Sequence, residues 1–318
     1  MAAGAGSGSS LAEGLLPLLA SSVLFGAMAV SVKVATRWMS PVQVACLRFA
    51  GSFLVLLLAT RGRGLVPAPG NLFRVVLRGA VGACAITLYF VGIDGAGAAL
   101  AALLQSTYPV FAAALAVPLL GERFTGRTAA GLLLNLAGAA LVVGGEIRLD
   151  PSLLPGMLAA AGAAFLSGAA IATARGLRAS ESASLITTWF MAIGALATSP
   201  SLARGLPPAN APLVAALACV VLFSVAAQWL LHHSLGHHSA ARASLVAATG
   251  VVTAALLEAF LLGRAVDRPT LAGAALMLAA VGVVSGGGEG PGPGRPTAPG
   301  ARSRIPETSS LTDGVRSR

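Results

Sequence analysis

Residues 98–145 run AALAALLQSTYPVFAAALAVPLLGERFTGRTAAGLLLNLAGAALVVGG, an apolar helix, a polar break over 121–127, and a second apolar helix. Residues 240–287 repeat the construction as AARASLVAATGVVTAALLEAFLLGRAVDRPTLAGAALMLAAVGVVSGG. Laying Gly121 on Gly263 sets an offset of 142 residues, and the same offset carries Thr107 onto Thr249, Thr128 onto Thr270 and Gly131 onto Gly273. Upstream it still holds, for Gly26 with Gly168, Lys33 with Arg175 and Ser40 with Ser182. A constant offset over so long a stretch predicts two copies of one unit with almost no net insertion between them.

Hydrophobic residues make up 56% of the 318-residue chain and charged ones 10%, against roughly 25% charged in soluble domains. A water-soluble surface cannot be built from that, and a bilayer span needs only about 20 apolar residues. Ten apolar runs are legible, at 15–34, 42–60, 73–93, 97–119, 127–145, 154–174, 183–199, 212–231, 241–262 and 270–286. They are continuously apolar rather than alternating, which excludes a β-barrel. The expected fold is therefore an all-α polytopic membrane protein of ten transmembrane helices, arranged as two five-helix repeats. The boundaries read as a tail at 1–12, a first repeat at 13–147, a second at 148–287 and a Gly/Pro/Arg-rich disordered tail at 288–318.

A net charge of +10 does not point to nucleic acid, because the basic residues lie mainly between the runs and in the tail, where membrane topology puts them. With both termini in the cytoplasm, the inner connections collect residues such as Arg61, Arg78, Arg123, Arg175, Arg178 and Arg242. Lys33, Arg37, Arg148, Arg204, Arg264 and Arg268 fall outside. Five is an odd number, so the second copy runs inverted through the membrane, as in many secondary transporters whose site lies between the repeats. The expected location is the plasma membrane, the inner membrane if the source is bacterial. Cys46, Cys84 and Cys219 all lie inside apolar runs and read as buried, inert thiols.

Residues 106–110, Ser-Thr-Tyr-Pro-Val, followed by Leu120-Gly121-Glu122, by Gly131 in the fifth helix, and preceded by Arg48-Phe49 after Pro41, resemble the drug/metabolite transporter superfamily. The chain is similar to its EamA-type, ten-helix members. That resemblance implies a carrier of small metabolites or amino-acid-like compounds, commonly outward. The second copy departs from the pattern with Arg264 where the family usually has Glu, while Glu258 appears where the first copy has Ala116.

Ionisable groups inside membrane helices are costly and mark function by default. Arg48 is expected to hold a substrate carboxylate or phosphate, with Glu258 as countercharge or proton carrier; the alternative is that both snorkel to the outer interface. Gln105, Thr107 and Tyr108 precede or flank the kink expected at Pro109 and are candidate cavity walls, with Gln228, Trp229 and Thr249. Tyr89 reads as an interfacial belt residue.

All four histidines lie in the run 232–238, which reads as a solvated cytoplasmic turn. A metal site there, and with it an intramembrane metalloenzyme, is the weaker alternative, because no acidic ligand lies nearby. Gly131, Gly138, Gly144, Gly273 and Gly282 allow close helix contact, within the monomer by preference and across a homodimer otherwise. No Gly-rich phosphate loop with Lys and no hydrolase triad is spaced in the chain, so no cofactor is expected and the chain reads as a non-enzyme. A proton or counter-substrate would drive transport. A nucleotide-sugar-type carrier of the same superfamily is a second transporter reading, and it would want more basic residues in the cavity than Arg48.

Overall fold

A computed structural model describes residues 6–96, 98–143, 151–261, 266 and 268–285. Its helices are α1 (Gly6–Ala35), α2 (Pro41–Thr60), α3 (Leu72–Ala96), α4 (Ala98–Gln105), α5 (Tyr108–Leu120) and α6 (Gly126–Val143). The second half supplies α7 (Leu154–Leu177), α8 (Ala183–Thr198), α9 (Ala211–Ser234), α10 (Ala240–Ala248), α11 (Gly250–Leu261) and α12 (Arg268–Ser285). Among the described residues nine apolar stretches are long enough to cross a membrane, and Gly126–Val142 is a shorter apolar helix. The protein is an integral membrane protein of two five-helix halves.

Local chemistry explains where the helices begin. Ser40 caps α2 by accepting from the Gln43 amide at 3.3 Å, while the Gln43 side chain accepts from the Ser40 amide at 3.0 Å. This reciprocal pair satisfies two donors that a helix start otherwise leaves open. Its repeat counterpart Ser182 caps α8, accepting from the Leu185 amide at 3.1 Å. Arg61 and Gly62, at φ 52° and 68°, turn the chain out of α2 in the left-handed region.

The fourth span of each half, expected as one helix, is broken. The first breaks at Ser106-Thr107 between α4 and α5, and the second at Thr249 between α10 and α11. Both threonines fold back on the preceding turn, Thr107 donating to the Leu104 carbonyl and Thr249 to the Val246 carbonyl, each at 2.7 Å. Pro109 has Val251 as its counterpart, so proline alone does not explain both breaks. The first is further held by Asn135 of α6, whose amide donates to the Ser106 carbonyl at 3.2 Å.

The halves interlock across their repeat symmetry. A Cβ at Gly26 would come within 2.6 Å of the Gly250 carbonyl oxygen and of Thr253, and one at Gly168 within 2.5 Å of Phe111 and 2.7 Å of the Ala112 amide. The same offset relates residues 26 to 168 and 111 to 253, so α1 packs on α11 as α7 packs on α5. Likewise α3 packs on α7 and α1 on α9, while α6 packs against its own counterpart α12. Gly138 and Gly273 meet there backbone to backbone, which gives those two glycines the intramolecular role. Gly282 has open space around it, and Gly144 lies outside the described residues.

One end of the bundle gathers the connection 61–71 against residues 180–181: Asn71 donates to Ser180 at 2.8 Å and to Glu181 at 2.7 Å, and the Trp189 indole to the Leu65 carbonyl at 2.8 Å. The connections 121–125 and 235–239 meet at the same end through Glu122. The opposite end brings the start of α2 to the connection before α9, where the Gln43 amide donates to the Gly205 carbonyl at 2.7 Å. Connections therefore alternate between the ends, as antiparallel threading of both halves requires.

Candidate functional site

Arg48 does not snorkel. It is fully buried, at 0% exposure, where α2 faces α9, and its Nε donates to Ser224 at 2.7 Å. Its two terminal nitrogens have no hydrogen-bond partner among the described residues. One turn further along each helix, Ser52 and Gln228 add a buried hydroxyl and a buried amide oxygen, also without partners. Leaving such groups unpaired is costly, and four polar atoms on two facing helices form a polar cluster without internal compensation.

A second buried cation stands close by. Arg78, 3% exposed on α3, lays its guanidinium 4.3 Å over the Phe190 ring and donates through Nη2 to His232 Nε2 at 2.8 Å. His232 is fully buried, and its Nδ1 lies 2.7 Å from the Thr187 hydroxyl, which donates to the Ala183 carbonyl. With Arg78 donating to Nε2, the ring proton sits on Nδ1 and points at Thr187. Arg78 Nε and Nη1 have no partner among the described residues. Arg48 lies 5.2 Å from the Phe49 ring centre, and Phe49 meets Phe190 edge to face at 5.4 Å, so each guanidinium touches one ring of a contacting pair.

The histidine run is a turn only from residue 235, where His237 is exposed. α9 continues through Ser234, which carries His232 into the core, and His238 is buried as well. His233 stacks on Trp229, with ring centroids 5.3 Å apart. No group of three or more metal-capable side chains occurs among the described residues.

The remaining candidates do not converge on one spot. Gln105 donates to Ser167 of α7 at 2.9 Å, and Tyr108 reaches across to the Ser244 carbonyl of α10 at 2.8 Å. The Thr249 hydroxyl lies 3.2 Å from that of Ser22, which places the second break against α1. These residues brace the broken helices, while Gln228 lies one turn along α9 from Ser224, the partner of Arg48. Trp229 donates to Ser184 at 3.0 Å and lines a cavity of about 380 Å³ with Leu56, Thr60 and Val225. Tyr89 is partly buried against the cluster that holds Phe49 and Phe190. Cys46 is buried, but Cys84 is exposed and Cys219 half-buried, so the expectation of three buried thiols holds for Cys46 alone. The Glu258 side chain lies outside the described residues.

Glu122 of the Leu-Gly-Glu motif has a definite place. It pairs with Arg175 Nε at 3.3 Å and accepts from the Ala240 amide at 3.1 Å, joining the first half to two elements of the second. Arg175 also donates to the Leu235 carbonyl at 3.0 Å, and Arg178 donates to the His232 and Glu181 carbonyls. Burial, with Arg175 alongside, lowers the Arg178 guanidinium from its ordinary value. A second cavity, of about 510 Å³, opens at the opposite end and is lined by Thr36, Trp38, Gln43, Arg204 and Gly205.

The EamA-like transporter family model matches residues 12–144 and again 154–286. The pseudopaline exporter CntI of Pseudomonas aeruginosa strain UCBPP-PA14 is 25% identical over 271 residues, which is 85% of this chain and 95% of that protein. CntI of strain PAO1 matches to the same extent. A crystal structure of a protein 20% identical in sequence superposes with a TM-score of 0.75 over 86% of this chain and 96% of the other, a likeness of fold. The chain belongs to the EamA-like transporter family and is a transporter, not an enzyme.

Proposed function

We propose that the protein is a secondary carrier that exports small anionic metabolites or amino-acid-like compounds across the plasma membrane by alternating access. The observation behind this reading is Arg48, buried within the protein with both terminal nitrogens unpartnered among the described residues. A forked guanidinium in a low-dielectric setting suits a carboxylate or phosphate. Gln228 and Ser52 line the same face, and Trp229 lies at the cavity beyond them. The broken helices at Thr107, Tyr108 and Thr249, with Gln105, give the halves discontinuous elements on which to rock. Glu258 would carry a proton if transport is proton-coupled, and the termini would face the cytoplasm. The exporter CntI, a distant relative over most of both chains, supports the outward direction.

Cells with and without the protein would be compared for metabolites released to the medium. One or more carboxylate-bearing compounds should accumulate outside only when the protein is present and Arg48 is intact. Equal release from Arg48→Gln cells would remove Arg48 from the site, and equal release from cells lacking the protein would end the exporter reading. A nucleotide-sugar-type carrier is the second reading, favoured by Arg78 as a further buried cation. Exchange of a labelled nucleotide sugar into proteoliposomes separates the two.

A further inference from the structure

We infer that the cargo carries two separated acidic groups, Arg48 reading one and Arg78 the other, with Phe49 and Phe190 bracketing the span between them. This rests on the anion-carrier reading above and deepens it. Both guanidiniums are almost wholly buried, each keeps two nitrogens without a partner, and no carboxylate pairs with either among the described residues. Two uncompensated cations in one membrane-embedded core are hard to maintain unless an anion visits both.

The separation sets the shape of that anion. Arg48 stands 5.2 Å from the Phe49 ring, the rings are 5.4 Å apart, and Arg78 stands 4.3 Å from Phe190. A ligand that engages both guanidiniums passes Phe49 and Phe190, so two acidic groups joined by an apolar spacer match the alternation of charge and hydrocarbon. The site is also built. Gly82 lies beneath the Arg78 guanidinium, where a Cβ would come within 2.6 Å of Nη1 and 2.9 Å of Phe190. Gly194 likewise makes room for Phe49, within 2.6 Å of its ring. His232 holds Arg78 by one nitrogen only, which positions the group while leaving Nε and Nη1 for a ligand. Leu56, in the same buried cluster as both rings, also lines the 380 Å³ cavity.

The test uses the full chain in nanodiscs, with affinity read from the shift of thermal unfolding. The probes are butyrate, hexanoate, succinate, adipate, suberate and inorganic pyrophosphate at constant ionic strength. A dicarboxylate of adipate or suberate length should bind about tenfold or more tightly than its monocarboxylate, the margin of one charge-assisted pair. Arg78→Gln and Arg48→Gln should each erase that margin while leaving monocarboxylate binding to the surviving arginine. Gly82→Ala, which pushes the guanidinium off its ring, should act like Arg78→Gln, and Arg78→Lys should restore part of the margin. Unfolding without ligand shows which variants are folded, and Gly82→Ala and Arg78→Lys carry the test if Arg78→Gln is not. Equal affinity for mono- and dicarboxylates, tightest binding by pyrophosphate, or an undiminished margin in the folded Arg78 variants overturns the two-ended site. If Arg48→Gln still abolishes monocarboxylate binding, the anion-carrier reading survives that result; if none of the probes binds the unaltered protein, both fall.

Discussion

Among the described residues Ser224 gives Arg48 its one hydrogen bond, at 2.7 Å in a fully buried setting. Ser224→Ala therefore strands a third nitrogen of the same guanidinium, and unfolding in detergent should show a loss of about 1–3 kcal/mol. Thr187→Ala removes the partner of His232 Nδ1 and should free the ring to turn. The expected outcome is weakened retention of Arg78, read as raised reactivity of Arg78 toward a guanidine-specific reagent. Arg48 was legible because an arginine eight residues into an apolar span has no loop to retreat to. Arg78 was not, because it lies close enough to a helix start to be counted with the loop cations. Only the packing of α3 on α8 turns it inward. In the histidine run the spacing hid a division: neighbours 232 and 233 point to different faces of α9, so one is core and the other stacks on Trp229.

Helix spans and their duplication were readable at the scale of elements, since periodic apolar length and a fixed offset survive sequence drift. The interruptions at Thr107 and Thr249 were half readable: a kink was expected from Pro109, but its counterpart Val251 gives no such signal. What the two positions share is a threonine that folds back on its own turn, a bond that competes with the helix ladder. The close crossings at Gly26 and Gly168 follow the same symmetry. Gly26→Ala and Gly168→Ala each drive a Cβ into backbone. Each should lower stability in thermal unfolding by about 1–3 kcal/mol, by similar amounts. A large loss at only one of them would mean the crossings are not equivalent.

For the whole molecule, the alternation of connections makes a topological statement. A single cysteine placed at Gly62 or at Gly64 should react with an impermeant thiol reagent from one side of the membrane, and one at Arg204 from the other. Reaction of both from the same side would be incompatible with two inverted halves. Glu122 ties those halves at the end that gathers residues 61–71. Glu122→Gln keeps the shape and drops the charge, so that end should open more readily, seen as faster labelling of a cysteine placed at Ser234.

The counterpart of Arg48, by the repeat offset, is Phe190, the ring that lies beneath Arg78. A pair of identical, unjoined halves could never present such a surface, for it would have to show arginine twice or phenylalanine twice. In one chain the two equivalent positions differ, one bearing charge and the other hydrocarbon. Undoing that divergence with Phe190→Arg would set a third cation against Arg78 in a dry core. The expected result is a chain that inserts into membranes yet fails to close into its bundle. In the two-ended site proposed above, that lopsidedness between equivalent positions would suit a cargo whose ends differ from its middle.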